Sequence, residues 1–291
     1  MVGAVVSAAI VGATAQVPDL RPRITGIDHV ILRGSDVGAV RRFYGGVLGL
    51  RGSVDRAGAR EPAARLRYDV GNRQTIFVDI DLPAGEDERL RELAFSTPDL
   101  EALAALLTAK GIAVTRAPGP LAAITVRDPD GHPLAFVERA WPPPDRGRPP
   151  VVFSGPAPLS TRILHAGLTV RDEAAANRFY KETLGFGEIW RGGRNEGTTD
   201  WINMRVPDGT DYLEYMLVAS PPDRRQRGVL HHVALLVPDI QAAWEAAGVR
   251  TPADGRGRLG PPNVGRNGRW QLNLYDGDGT RTELMEPFTV R

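Results

Sequence analysis

Apolar strands and amphipathic helices alternate along the chain in a pattern that repeats. Residues 28–32 and 164–168 each form a short apolar run with a histidine, followed by a polar turn whose aspartate can cap a helix. Both predicted helices end with Phe-Tyr and then Leu-Gly, at the offset that separates His29 from His165. Glycine suits the C-terminal cap of a helix. The pattern therefore predicts two structurally similar halves.

Each half contains a second, weaker copy of the same unit. Residues 92–100 and 232–240 share a strand-like run that ends in Pro-Asp, and they predict helices over 99–110 and 239–247. Each half then closes with an Asp-Gly turn that leads into a strand of alternating pattern. The chain is therefore predicted to consist of four strand-helix-strand-strand-strand modules.

A proline-rich segment separates the two halves. Residues 141–160 contain seven prolines, which remove backbone donors and disfavour both helix and central strand. The segment predicts a semi-rigid linker between an N-terminal domain, residues 24–140, and a C-terminal domain, residues 161–289.

The N-terminal segment has features of an export signal. Residues 2–12 form an apolar run too short to span a bilayer, and Ala13-Thr14-Ala15 has the small-x-small pattern of a signal-peptidase site. No Lys or Arg precedes the run, which argues for an ordinary tail instead. We expect residues 1–20 to be a signal peptide or a tail, and we favour export to the periplasm or medium over a cytoplasmic location.

Composition narrows the chemistry. The chain has no cysteine, so disulfides, thiolate metal sites and cysteine nucleophiles are excluded. Its formal net charge is +1, so no strong field attracts nucleic acid or anionic lipid. We expect a small-molecule substrate, and neither a nucleic acid nor a membrane as partner.

The modules, with a histidine on the first strand, a Phe-Tyr…Leu-Gly helix end and a final Asp-Gly-x-x-x-Glu strand, resemble the vicinal oxygen chelate superfamily. That superfamily includes glyoxalase I, extradiol dioxygenases, methylmalonyl-CoA epimerase, fosfomycin-resistance enzymes and bleomycin-binding proteins. The resemblance covers nearly all of residues 24–289. It implies an α+β fold in which four βαβββ modules form two domains, each a half-open mixed β-barrel flanked by helices, around one divalent metal ion.

The resemblance also implies four inward strand positions around the metal. In the C-terminal domain these positions carry His165, Glu214, His232 and Glu283, all good nitrogen or oxygen ligands. Neighbouring strand residues face opposite sides, so His231, next to the ligand His232, is expected to be exposed.

The N-terminal domain lacks half of this set. The corresponding positions carry His29, Phe77, Glu92 and Ala135. We therefore expect a degenerate site in that domain and a single metal-binding, catalytic domain at 161–289.

Two imidazoles and two carboxylates suit octahedral Zn, Ni, Co, Mn or Fe with two positions open for substrate. By the resemblance, the ion would stabilise an enediolate while Glu214 or Glu283 removes a proton beside a carbonyl. This predicts a glyoxalase I-like lyase or isomerase, with both glutamates as ligand and base candidates.

Strand alternation suggests further residues of the substrate cavity. Arg281 is expected either to pair with an anionic substrate or to form a salt bridge at the barrel rim. Residues 223–228 predict a solvated loop. The remaining cavity candidates are Trp201, Asn203, Tyr212 and Tyr275.

Two other functions stay open. An extradiol-type ring-cleaving dioxygenase would use His165, His232 and Glu283 as an Fe(II) triad; such enzymes also carry a histidine and a tyrosine before the last glutamate, and here Tyr275 is present but residues 268–272 contain no histidine. A non-enzymatic small-molecule binding protein of the bleomycin-resistance type is the third hypothesis. A homodimer is neither required nor excluded.

Overall fold

A computed structural model of the chain describes residues 21–55, 64–71, 73–86, 88–117, 122–140, 155–221, 223–252 and 259–290. The expected signal or tail segment and residues 141–154 of the expected linker lie outside the described residues. Within them, no helix has the length and apolar character needed to cross a membrane.

The first half of the chain forms one eight-stranded mixed sheet in the order β2-β3-β4-β1-β5-β8-β7-β6. Its strands are β1 (Gly26–Gly34), β2 (Arg51–Val54), β3 (Arg65–Gly71), β4 (Gln74–Ile80), β5 (Leu90–Thr97), β6 (Thr115–Ala117), β7 (Ala123–Arg127) and β8 (Pro133–Glu138).

The second half repeats this sheet in the order β10-β11-β12-β9-β13-β16-β15-β14. Its strands are β9 (Ile163–Val170), β10 (Gly187–Gly192), β11 (Trp201–Arg205), β12 (Tyr212–Leu217), β13 (His232–Leu236), β14 (Asn263–Val264), β15 (Arg269–Tyr275) and β16 (Arg281–Thr289).

A helix follows the first strand of each module, and one further helix lies between β12 and β13. The helices are α1 (Val37–Val40), which continues as a π-helix over Arg41–Val47; α2 (Leu100–Ala109); α3 (Glu173–Ala176), which continues as a π-helix over Asn177–Thr183; α4 (Arg224–Leu230); and α5 (Ile240–Arg250). The described residues therefore form four βαβββ modules in two half-barrels, and the predicted α+β fold is confirmed.

The same local chemistry starts the helix of every module. An aspartate precedes each one, and its carboxylate accepts a hydrogen bond from a backbone amide of the first turn, which satisfies a donor that the helix leaves unpaired. The four capping residues are Asp36, Asp99, Asp172 and Asp239.

Helix α4 corrects the loop that was expected over 223–228. The Asp223 side chain accepts from the amide of Gln226, and the Gln226 side chain accepts from the amide of Asp223. This is a capping box, which favours a helix over a solvated loop. The Asp-x-x-Gln spacing was visible in the sequence. The helix matters for the site because it ends directly before β13.

In each sheet, two modules join through their first strands. β1 and β5 pair antiparallel, as do β9 and β13, whereas the first and last strands of each module pair parallel. Strand β9 lies in the middle of the second sheet and all eight of its residues are buried. Its side chains can therefore meet those of both neighbouring strands.

The two domains hold each other through a reciprocal contact. The Tyr180 hydroxyl donates to the Asp128 carboxylate at 2.9 Å, and the Tyr44 hydroxyl donates to Asp276 at 3.3 Å. The Tyr44 and Tyr180 contacts are equivalent by the repeat, and all four residues are buried. Each helix end thus docks on the final turn of the other domain.

The buried side chain of Gln74, at the start of β4, connects the first domain to the start of β9. The Gln74 amide nitrogen donates to the Ile163 carbonyl at 3.1 Å and to Asp211 at 3.0 Å, and its oxygen accepts from the Ile163 amide at 2.7 Å. Buried polar groups of this kind are costly to leave unpaired. Gln74 therefore fixes the start of β9, two residues before His165, against the first domain.

Asp276 predicts a pH dependence of this interface. Burial raises the pKa of its carboxyl to about 6, outweighing the hydrogen bonds from the amides of Thr280 and Asp278. The unfolded chain releases this proton near pH 4, so the contribution of Asp276 to the free energy of unfolding falls as the pH rises from about 4 to about 6.

The variant Asp276→Asn keeps an oxygen for both amides and cannot ionise. We expect the free energy of unfolding of the variant, relative to that of wild type, to increase by on the order of 2 kcal/mol between pH 4 and pH 7. Urea unfolding at both pH values measures this difference. An identical stability difference at both pH values would contradict this assignment.

Candidate metal centre

Four neighbouring strands of the second sheet bring His165, Glu214, His232 and Glu283 together. They lie on β9, β12, β13 and β16, which are adjacent in the order β12-β9-β13-β16. The register pairs His165 with Ala234, and Ala234 with Glu283. All four side chains are buried, so the alternation of the strands points them into one half-barrel.

The ligand atoms of the four residues face one another. The Nε2 atoms of His165 and His232 are 3.0 Å apart. Glu283 Oε2 lies 3.4 Å from His165 Nε2 and 3.6 Å from His232 Nε2, and Glu214 Oε2 lies 3.9 Å and 3.4 Å from the same atoms. One ligand atom from each residue falls within 4.8 Å of the others.

These separations fit a shared ion. With metal–ligand distances of about 2.1 Å, adjacent ligands of an octahedron are about 3 Å apart and opposite ones about 4.2 Å. The five separations between named atoms, 3.0 to 3.9 Å, fall between these values. Among the described residues this is the one group that could hold a metal in this way.

The hydrogen bonds behind the imidazoles support the same arrangement. His232 Nδ1 lies 2.8 Å from the Leu230 carbonyl oxygen and 2.6 Å from Arg281 Nη2. The tautomer with its proton on Nδ1, which donates to the carbonyl, leaves the Nε2 lone pair facing the cluster. His165 Nδ1 is buried with no hydrogen-bond partner among the described residues, and the Tyr212 ring packs at 4.6 Å from the His165 ring. Both rings thus present Nε2 to the centre.

The electrostatics are those of a cation site. Burial alone would raise the pKa of the Glu283 carboxyl, but hydrogen bonds from His165 and His232 and the charge of Arg281 outweigh burial and hold that pKa well below its usual range. For Glu214, burial is likewise outweighed by the two imidazoles, and its pKa is lowered. Burial lowers the pKa of His165. Two carboxylates and the neutral imidazole of His165 are protonation states that a divalent ion requires. Burial would lower the pKa of His232, but its contacts with Glu214 and Glu283 outweigh burial and raise that pKa, so an ion would have to displace the proton that this imidazole shares with the two carboxylates.

Gly167 makes room for His232. A Cβ built at this position on β9 would overlap the imidazole of His232, and Gly167 pairs with His232 in the strand register. An isolated glycine within a strand often marks such a close approach. Gly167 was not among the predicted site residues, although a glycine within a predicted strand was visible in the sequence.

The N-terminal domain has other side chains at the equivalent positions. Ile31 pairs with Phe77 as Gly167 pairs with Glu214, so Ile31 occupies the place of the glycine. His29 instead lies 2.7 Å from Asp28 and 3.3 Å from Glu92.

The last of the four ligand positions is apolar in that domain. Ala135 pairs with Ala94 as Glu283 pairs with Ala234. In the first domain, an ion-paired histidine and glutamate and two apolar side chains thus take the positions of the four donors.

Two of the expected substrate residues line the cavity above the cluster. This cavity has a volume of about 420 Å³, and Glu214 and Glu283 form its floor. Trp201 and Arg281 lie in its wall. Arg281 Nη2 is 3.0 Å from His232 Nε2, so the guanidinium reaches the edge of the donor cluster.

The other three expected substrate residues do not line this cavity. Tyr212 packs behind His165, with its hydroxyl 3.5 Å from Met285 Sδ. Asn203 is buried beside Glu214 across the β11–β12 pair. Tyr275 lies at the end of β15 and lines a separate cavity of about 310 Å³ together with Phe43 of the first domain.

His231 was expected to be exposed, and this is wrong. Its side chain is 2% exposed because it packs into the domain interface. Its Nε2 is 3.0 Å from Thr169 Oγ1, its Nδ1 is 3.1 Å from the Glu88 carboxylate, and its ring lies 5.0 Å from that of His132. Glu88 and His132 of the first domain therefore cover His231, directly before β13.

The sequence matches the family described as Glyoxalase/Bleomycin resistance protein/Dioxygenase superfamily over residues 26–136 and 162–284. An uncharacterized protein of Bacillus subtilis (strain 168), YwbC, is 30% identical over 89 residues, which is 31% of this chain and 71% of that protein.

Solved structures of 2,3-dioxygenases have the same fold. The 2,3-dioxygenase LapB from Pseudomonas sp. KL28 superimposes with a TM-score of 0.64 at 17% identity, over 94% of this chain and 95% of LapB. Homoprotocatechuate 2,3-dioxygenase from Arthrobacter globiformis gives a TM-score of 0.64 at 19% identity, over 92% of this chain and 82% of that one. Similarity at this identity shows a shared two-domain fold.

Gly167→Ala should abolish metal binding although it replaces none of the four ligands. The added methyl group would displace the His232 imidazole, so we expect metal content to fall from about one divalent ion per chain to a small fraction of that. Elemental analysis of dialysed protein measures it. Gly187→Ala on β10 is the matched control, because a Cβ there meets nothing within 4 Å. Full metal content in the Gly167 variant would contradict the proposed packing.

Glu283→Ala and Glu92→Ala test which domain binds the ion. Glu283 belongs to the donor cluster, whereas Glu92 pairs with His29 in the first domain. We expect the first variant to lose the bound ion and the second to keep it, by the same elemental analysis. Equal loss from both variants would show that the site is misplaced.

Proposed function

Since the chain belongs to the Glyoxalase/Bleomycin resistance protein/Dioxygenase superfamily, we propose that it is a divalent-metal-dependent enzyme that acts on a small molecule with two adjacent oxygen atoms. The resemblance to the vicinal oxygen chelate superfamily is thus confirmed. Within this class we favour a lyase or isomerase that moves a proton beside a carbonyl. The observation that carries the proposal is the presence of four donors, two imidazoles and two carboxylates, in one cluster.

His165, His232, Glu214 and Glu283 would hold the ion. A divalent ion bound there would supply Lewis-acid chemistry, polarising substrate oxygens and stabilising negative charge next to the carbon that loses a proton. Trp201 and Arg281 line the cavity beside these donors and would contact a bound substrate.

Glu214 is the favoured general base. Its carboxylate lines the cavity, and one of its oxygens lies 3.4 Å from His232 and 3.9 Å from His165. Glu283 is held more closely, because it lies 3.4 Å and 3.6 Å from the two imidazoles and is also attracted by the positive charge of Arg281. A base must give up its contacts to accept a proton, and Glu214 has fewer to give up.

An extradiol-type dioxygenase is the second candidate, and the fold similarity supports it better than the first. The dioxygenase structures superimpose over both domains of this chain. Fe(II) oxygenases of this kind use two histidines and one carboxylate, which leave open positions on the metal. A fourth donor at Glu214 occupies one of them, and Tyr275 lines another cavity. We favour proton transfer for these two reasons.

Two reactions separate the candidates. We expect protein loaded with Ni(II), Co(II) or Zn(II) to isomerise the adduct of methylglyoxal with a thiol, and Fe(II)-loaded protein to take up no oxygen with catechol. Oxygen uptake with catechol in the absence of isomerisation would replace the lyase or isomerase by the dioxygenase.

Glu214→Gln gives the sharper comparison. Loss of the base should lower kcat for isomerisation by about 100-fold or more, with the metal still bound through the other three donors. If the chain were a dioxygenase with an iron triad, the same variant would retain oxygen uptake within a few-fold of wild type.

A further inference from the structure

The cavity above the donor cluster extends to a second group of side chains. We call this group the arginine–tryptophan end; it consists of Trp190, Arg194, Trp201 and Arg266, all of which line the same cavity as Glu214 and Glu283. Sequence reasoning identified only Trp201, because the other three come from β10 and from two loops that meet only in the fold.

The two indoles are held in place by local packing. The Trp190 ring lies over Gly192, where a Cβ would come into contact with the ring. The Arg194 guanidinium lies 5.7 Å from the centre of the Trp201 ring, a cation–π distance. Flat aromatic surfaces of this kind favour a planar group of the ligand over an alkyl chain.

The charge at this end of the cavity is positive. The Arg266 Nε donates to the Gly193 carbonyl at 2.9 Å, and no carboxylate pairs with Arg266 among the described residues. Within the described part of the chain, the Arg194 guanidinium has one carboxylate partner, Asp200 at 3.5 Å. The carboxylates of the cavity lining are Glu214 and Glu283, and a divalent ion balances both.

Resting on the proposed function, we infer that the substrate carries a planar group next to its two metal-chelating oxygens and a carboxylate at its far end, which Arg266 and Arg194 bind. The planar guanidinium of Arg266 has two further nitrogens beyond the one bonded to Gly193, and such a fork matches the geometry of a carboxylate. Arg281 lies at the donor cluster, with Nη2 3.0 Å from His232 Nε2, where it can bind negative charge on the chelating oxygens.

Binding of a redox-inert chelator tests this inference independently of the reaction. Benzohydroxamate binds divalent ions through two adjacent oxygens, and 4-carboxybenzohydroxamate adds one carboxylate to the same ring. We expect zinc-loaded full-length protein to bind the carboxylated probe about tenfold more tightly in isothermal titration calorimetry, as one charge-assisted hydrogen bond warrants.

Variants assign the preference to the guanidiniums. Arg266→Gln together with Arg194→Gln should abolish the preference for the carboxylated probe and leave the affinity for benzohydroxamate within about twofold. Arg178→Gln, an exposed arginine on the π-helix after α3, is the matched control and should keep the full preference.

The outcomes separate the inference from the function on which it rests. Equal binding of the two probes to wild type, or a preference that survives the double variant, would overturn the assigned substrate class while the metal site stands. If neither probe bound to the zinc-loaded protein, the chelating site itself would be refuted, and the inference with it.

Discussion

The imidazole of His232 lies directly against the backbone of β9, in space that only a residue without a side chain leaves open. That space exists at Gly167, and the rest of the donor cluster is arranged around it. β9 carries His165 and is flanked by β12 with Glu214 and by β13 with His232. Since β-strands present side chains to one face at every second residue, the pairing register alone then places four donors in one half-barrel.

The first domain supports this centre without duplicating it. Gln74 anchors the start of β9, and the side chain of His231, next to the ligand His232, is enclosed by His132 and Glu88 of the first domain. The reciprocal Tyr–Asp contacts fix the two half-barrels against each other. The two half-barrels of the duplicated fold thus differ: ion-paired and apolar side chains take the four positions in the first, and metal donors take them in the second.

Much of this arrangement could be predicted from the sequence because it repeats. The repeat aligned Glu214 and Glu283 with Phe77 and Ala135, and the strand registers place them at equivalent positions. What the sequence could not provide depends on contacts between distant segments: the burial of His231 against the first domain, and the distance between Tyr275 and the donor cluster. Two local features were present in the sequence but were not recognised: the Asp223 capping box and Gly167. A short motif of this kind can be interpreted only when the residues that pack against it are known.

The account rests on four donors that share one ion in the second domain, and anomalous scattering from crystals grown with Zn(II) or Co(II) tests it most directly. We expect one strong peak per chain, within about 2.3 Å of Nε2 of His165 and His232 and of a carboxylate oxygen of Glu214 and Glu283. A peak held by only three of these residues, with Glu214 turned away, or a peak in the first domain would contradict the account.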